Sequence, residues 1–139
     1  WIEDYNNASE SQKITSASAM GLLGRLLVRS RHDPDLGILW SFITRDDFAK
    51  TNSAPTEISN LIEMCSSIIS LPRAAVVFWQ YNEGKGTGGI FWSCDQVLNR
   101  ELSRAMGKDA SGEHTIELVQ YANFIEAETT LRKLLRSIL

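Results

Sequence analysis

His114 is the side chain best suited to chemistry in this sequence, and it follows a short loop of small residues, Ser111-Gly112-Glu113. Small residues let a ligand approach the backbone, and an imidazole can donate a hydrogen bond to a phosphate oxygen. The local sequence is equally typical of a loop histidine that has no ligand. Both interpretations of His114 therefore stay open at the level of the residues alone.

Other side chains could contact the same ligand. Arg100, Arg104 and Lys108 recur at every fourth residue, so they form a basic stripe along one predicted helix. Such a stripe is usually a solvated face, but this one ends beside the loop before His114 and could contact an anion. Trp92 lies at the end of a predicted strand, where an indole could stack on a base.

Further motifs have simpler interpretations. The run Gly84–Gly89 matches the Gly-x-Gly-x-x-Gly pattern of dinucleotide sites, which requires a helix N-terminus after it. A strand is predicted there instead, so the run is interpreted as a hairpin turn. Asp46-Asp47 indicates favourable charge at a helix start rather than a metal site. No catalytic triad and no cluster of metal ligands can be assembled, so the sequence offers no visible machinery for phosphoester hydrolysis.

The composition is that of one soluble globular domain of 139 residues, with 43% hydrophobic residues. The net charge of -3 gives no general attraction to nucleic acid or to an anionic membrane, so any binding of a phosphorylated ligand must be local. Cys65 and Cys94 are too few for a disulfide framework, and a cytoplasmic location is the simplest expectation. No apolar run is long enough to span a membrane.

Hydrophobic periodicity predicts the element order α-β-β-α-β-β-α-β-α. The predicted helices are Ser11–Leu27, one opening at Pro55-Thr56-Glu57, one from Asp95 or Gln96 to Met106 with Leu98, Leu102 and Ala105 on one face, and one after an Asn123–Glu126 capping box. Thr44 is predicted to cap a short helical turn over Arg45–Phe48. The predicted strands are Leu27–Arg31, Ile38–Thr44, Ala74–Tyr81, Gly88–Ser93 and Thr115–Tyr121. This alternation indicates an α/β (α+β) fold, with a mixed sheet of about five strands and helices packed on it.

This arrangement resembles the C-terminal part of DHH/DHHA1 phosphoesterases, and it is most similar to their nanoRNase and oligoribonuclease-like branch. The resemblance covers about Gly21 to Leu139. The matching segments are Leu22–Arg25, Ile38–Phe48, Ala74–Tyr81, Gly88–Ser93 and the run Ser111–His114.

Two family motifs can be placed on the chain. The strand motif Ser-Leu-Arg-Ser corresponds to Ile90–Ser93, which keeps Ser93 and has Trp92 in the arginine position. The loop motif Gly-Gly-Gly-His corresponds to the segment that keeps Gly112 and His114, and Glu113 adds a negative charge there. The resemblance implies no catalytic or metal-binding residue in this chain. The substrate contacts that it implies are Trp92, Ser93, Ser111, Gly112 and His114, and Arg104 of the basic stripe is a further expected contact.

The resemblance also implies a domain organisation. In the family, an N-terminal DHH domain binds two divalent metals, usually manganese, and a smaller DHHA1 domain holds the nucleotide substrate. Residues 28–139 are therefore expected to be a DHHA1-like domain, preceded in residues 1–27 by an N-terminal segment and the end of a linker helix. A chain that begins at Trp1 is consistent with a missing DHH domain. No cofactor is expected here, and manganese or another divalent metal is implied only for that domain.

The expected function is to hold a short oligonucleotide or a cyclic dinucleotide for a phosphoesterase, without cleaving it. The expected partners are this ligand, the missing DHH domain and, in a homodimer, a second copy of the chain; a membrane is not among them. Trp92 and Glu113 motivate an alternative, a non-catalytic interaction or regulatory module that has lost nucleotide binding. A third interpretation is an unrelated α/β domain whose element order matches by chance.

Overall fold

The computed structural model describes residues 17–68, 72–81, 86–107 and 114–139, and these form a five-stranded mixed sheet with helices packed on it. The predicted fold class is confirmed. The helices are α1 (17–28), α2 (Arg45–Thr51), α3 (Ile58–Ile68, after a 3-10 turn at Pro55–Glu57), α4 (Gln96–Ala105) and α5 (Phe124–Ile138). The strands are β1 (Arg31–Asp33), β2 (Ile38–Ile43), β3 (Ala74–Gln80), β4 (Thr87–Ser93) and β5 (Thr115–Tyr121). None of the helices in these ranges is long and apolar enough to cross a membrane.

The strands lie in the sheet in chain order, β1-β2-β3-β4-β5. β2 and β3 pair in parallel, and α2 and α3 make the crossover between them. The pairs β1–β2, β3–β4 and β4–β5 are antiparallel. β3 is buried from Ala74 to Trp79 because helices cover both faces of the sheet, as its continuous apolar sequence predicts.

Side chains alternate along the strands between two cores. We call one side of the sheet the α5 face, where α4 and α5 pack on residues such as Trp40, Phe78 and Phe91. We call the other side the α3 face, where α1, α2 and α3 pack on residues such as Val77 and Ile90. Because of this alternation, neighbouring residues of one strand pack against different helix layers, one on the α5 face and the next on the α3 face.

Two predictions about local structure were wrong. The segment predicted as the strand Leu27–Arg31 begins inside α1, which continues to residue 28, and the strand is Arg31–Asp33. Leu27 and Val28 are 41% and 87% exposed, so their apolar character does not mark a strand. Ala105, predicted to face the core beside Leu98 and Leu102, is exposed at the end of α4.

Two helix starts depend on predicted caps. Thr44 accepts a hydrogen bond from the amide of Asp47 through its side chain, and Asp47 accepts one from the amide of Thr44, which makes a capping box. Asn123 likewise accepts from the amide of Glu126 at the start of α5. The return bond differs from the prediction, because Glu126 accepts from the amide of Ala122 instead of Asn123.

Candidate functional site

One end of the sheet brings several predicted site residues together. β3 begins at Ala74, which pairs with Ser93 at the end of β4, and Trp92 pairs with Thr115 at the start of β5. The amide of Ser93 donates to the carbonyl of His114 at 2.9 Å. The rings of Trp92 and His114 meet edge to face, with centroids 6.3 Å apart. We call this group of Trp92, Ser93 and His114, with the side chains that contact them, the β4-end site.

The other predicted site residues are not part of this group. Arg104 lies in the last turn of α4, which packs on the α5 face, and its guanidinium is 3.9 Å from the carboxylate of Glu101. Its side chain is largely exposed, as expected for a solvated face. Ser111 and Gly112 belong to segment 108–113, which lies outside the described residues, so their role stays a prediction.

Trp92 is a core residue of the α3 face. It is only 3% exposed, and its indole Nε1 donates to Oε1 of Glu63 at 3.2 Å. A ring with so little exposure has no open side for a base, so stacking would require the indole to leave this packing. Trp92 instead fills the position that the family resemblance gives to an arginine.

Glu63 is a member of the site that the sequence analysis missed. The same Oε1 atom that accepts from Trp92 lies 3.5 Å from Nδ1 of His114, an ion pair whenever that histidine is protonated. With Nδ1 facing Glu63, Nε2 is the ring nitrogen that points elsewhere. A signal was present in the sequence, because Glu63 is the only charged residue in α3 and directly follows the buried Ile62.

Ser93 has a structural role. Its hydroxyl donates to the carbonyl of Arg73 at 2.7 Å and accepts from the amide of Asp95 at 3.0 Å. Its own carbonyl accepts from the side-chain amide of Asn99 at 2.8 Å. Ser93 is fully buried, so these bonds fasten the end of β4 to the start of β3 and to α4.

An exposed arginine lies beside the β4-end site and was also missed. Arg73 directly precedes β3, and its guanidinium donates to Oδ2 of Asp95 from Nε at 3.2 Å. Asp95 caps α4, and hydrogen bonds from the amide of Leu98, from Arg73 and from the amide of Val97 hold the pKa of its carboxyl below the ordinary value of 3.8. The carboxylate is therefore charged at neutral pH and keeps Arg73 at this end of the sheet. Arg73 follows a proline at a helix–strand junction, where no periodic pattern identifies it.

The described part of the site has no arrangement that would activate Ser93 as a nucleophile. Ser93 and His114 do not form a nucleophile–base pair, because the serine hydroxyl donates to a backbone carbonyl. Among the described residues there is no group of three or more His, Cys, Asp or Glu side chains that could hold a metal ion. The charged groups at this end of the sheet are Glu63, which faces the imidazole of His114, and the pair of Arg73 with Asp95.

No protein-family model matches the sequence, and none of the curated proteins matches it. Among solved structures, the fold is similar to that of an exopolyphosphatase-related protein from Bacteroides fragilis, with a TM-score of 0.67 over 86% of this chain. The two sequences are 14% identical, so the likeness is one of fold. This chain spans 34% of the length of that protein.

Proposed function

We propose that residues 28–139 are a DHHA1-like ligand-binding domain of a phosphoesterase, and that α1 is the end of a linker helix to a metal-binding DHH domain. The likeness of fold to an exopolyphosphatase-related protein supports this proposal, as does the sequence resemblance to DHH phosphoesterases. Manganese or another divalent metal would belong to the DHH domain. The cytoplasm is the proposed compartment, and a homodimer is a further proposed assembly.

The proposed ligand is a short oligonucleotide or a cyclic dinucleotide, held at the β4-end site without cleavage. The observation that carries this is the meeting of Trp92, Ser93 and His114 at one end of the sheet, at the positions of the two family motifs. In this proposal Nε2 of His114 donates to a phosphate oxygen. Arg73 supplies a positive charge, and Ser93 holds the strand end in place.

Binding is tested by calorimetric titration with the dinucleotide pApA. A hydrogen bond to a charged group contributes about 1.5–3 kcal/mol, so His114→Ala is expected to weaken binding by about tenfold or more. His32→Ala is the matched control, because His32 is exposed on the edge strand β1 and should leave the affinity unchanged. Equal affinity of His114→Ala and wild type for pApA would overturn the assignment of this site.

The absence of cleavage is tested separately. The purified chain, incubated with pApA and manganese, is expected to release no mononucleotide, because the hydroxyl of Ser93 is not activated by His114. Turnover at a rate comparable to that of an intact phosphoesterase, retained after repeated purification, would contradict the proposal.

A second candidate function is an interaction or regulatory module that has lost nucleotide binding. The burial of Trp92 against Glu63 favours it, because an indole and a carboxylate occupy the place where the family has a cation. A flat pApA titration for both the wild type and Glu63→Gln, with the folded state verified by circular dichroism, supports this second function. Binding that strengthens in Glu63→Gln supports the first, since the substitution removes a negative charge next to His114.

A further inference from the structure

The outer surface of α4 and α5 carries cations that the β4-end site does not use. The two helices contact each other on the α5 face and start at opposite ends of the sheet, because α4 follows the end of β4 and α5 follows the end of the antiparallel β5. Together they hold five cationic side chains and three carboxylates, a net charge of +2 in a chain whose net charge is -3. The basic stripe that the sequence predicts along α4 is therefore one part of a larger positive surface.

The outward side chains of each helix form one row, because they recur at spacings of three and four residues. On α4 these exposed residues are Val97, Arg100 and Arg104. On α5 they are Ile125, Thr129, Lys133 and Arg136. We call these two rows together the α4–α5 surface.

Most of the positive charge on the α4–α5 surface is not neutralised within the domain. Arg100, Lys133 and Arg136 have no hydrogen-bond or ion-pair partner among the described residues. The carboxylates of the same helices all have partners: Glu101 faces Arg104, Glu126 accepts from the amide of Ala122, and Glu128 pairs with Arg31 and Arg132. Three exposed cations can therefore contact the anionic groups of a partner without breaking a bond in this chain.

Exposed apolar side chains on the same surface distinguish between the classes of anionic partner. Val97 is 62% exposed and Ile125 is 80% exposed, each in the first turn of its helix. A nucleic-acid backbone would leave both uncovered, and the net charge of the chain opposes its approach. A protein partner would bury them, and arginine beside apolar side chains is typical of protein interfaces. Two helices packed side by side also form a shallow outer groove that fits a third, amphipathic helix.

We propose that the α4–α5 surface binds an acidic amphipathic helix of a partner protein. Carboxylates of that helix contact Arg100, Lys133 and Arg136, and its apolar side chains cover Val97 and Ile125. The surface lies on the opposite side of the sheet from Glu63 and Trp92, which belong to the α3 face. The partner helix therefore binds independently of any ligand at the β4-end site.

The probe is a fluorescein-labelled peptide of about 18 residues, long enough to form a helix, with leucine along one face and glutamate along the rest. Fluorescence anisotropy measures its affinity for the wild-type chain. The affinity should fall as sodium chloride is raised from about 50 to about 500 mM, because salt screens the contacts between exposed charges. A counterpart peptide with glutamine in place of glutamate should bind at least about tenfold more weakly, since it lacks every carboxylate.

Three variants test the named contacts, and all three positions are exposed. Arg100→Glu and Lys133→Glu should each weaken binding of the acidic peptide by about fivefold, since each replaces an attractive charge with a repulsive one. Ile125→Ser should weaken it by about fivefold as well, through the loss of apolar surface that the peptide covers. Lys50→Glu is the matched control, because it makes the same change of charge on α2, whose helix packs on the other face of the sheet.

Weaker binding in Arg100→Glu, Lys133→Glu and Ile125→Ser, with Lys50→Glu equal to wild type, supports the proposal. Failure of the folded wild type to bind the acidic peptide at about 1 mM overturns it, as does equal affinity in wild type, Arg100→Glu and Lys133→Glu. Binding of oligothymidylate that is lost in these two variants, while the peptide does not bind, assigns the surface to nucleic acid and overturns the protein partner. A loss of pApA affinity in Lys133→Glu would make the surface part of the ligand site and would equally overturn it.

Discussion

The carboxylate of Asp47 and the guanidinium of Arg29 form an ion pair that ties α1 to the start of α2. Nη2 of Arg29 donates to Oδ1 of Asp47 at 2.9 Å, and the same oxygen accepts from Arg25 at 2.8 Å. The Asp47 side chain is 1% exposed, whereas that of Arg29 is 30% exposed. Arg29 also lies over the ring of Phe42, 5.2 Å from its centre. The C-terminal end of the helix proposed as a linker is therefore held by a buried carboxylate, in addition to the packing of Leu22 and Leu26 in the core of the α3 face.

Asp47→Asn is expected to destabilise the fold by about 3 kcal/mol, because it leaves two arginines facing a neutral group in a largely buried position. Urea denaturation at neutral pH measures the change. Asp46→Asn is the control, since Asp46 is exposed and pairs with Lys50 one turn along α2, a contact worth about 0.3–0.5 kcal/mol. Equal stability of the two variants would show that the ion pairs of Asp47 with Arg25 and Arg29 do not stabilise the fold.

A second prediction concerns Asp33 and the response to acid. Arg132 donates to the carboxylate of Asp33, and this bond is the main cause that holds the pKa of Asp33 below its ordinary value of 3.8. A lowered pKa in the folded state contributes stability above pH 3.8, and this contribution is lost as the pH falls through the folded-state pKa. The urea midpoint should therefore fall more steeply below about pH 4 in the wild type than in Asp33→Asn. Parallel acid profiles for the two proteins would contradict the role of this pair.

The sequence predicts the central sheet well because its signals are local. The apolar run Ala74–Tyr81 is itself the signal for strand β3, and Thr44 caps α2 through a residue three positions away. The contacts that build the site and fix α1 are not local. Glu63 contacts Trp92, which is 29 positions away along the chain, and Asp47 contacts Arg29 and Arg25, which are 18 and 22 positions away. Hydrophobic periodicity identifies which face of a helix is buried. It does not identify which strand lies beneath a carboxylate beside that face, such as that of Glu63.

Glu63 is expected to matter for both stability and ligand binding. Glu63→Ala leaves the buried indole nitrogen of Trp92 without its acceptor, which should cost about 1–2 kcal/mol in urea denaturation. Glu63→Gln keeps an oxygen that can accept from Trp92, so it should recover most of that loss. The contrast between the two variants separates the hydrogen bond from the charge. Equal destabilisation by alanine and glutamine would indicate that the charge, through His114, is what stabilises the site.

A substitution of Ser93 tests whether this residue contacts the ligand or only holds the end of β4 in place. Ser93→Ala removes the bond to the carbonyl of Arg73 and the acceptor for the amide of Asp95, so the unfolding free energy should fall by about 1–2 kcal/mol. Because the hydroxyl is buried and already paired, the affinity of the folded protein for pApA should change by less than about twofold, well under the effect of losing a direct hydrogen bond to phosphate. Calorimetry at a temperature where the variant is fully folded measures the affinity. A loss of about tenfold under those conditions would mean that Ser93 turns its hydroxyl to the ligand, as the family motif implies.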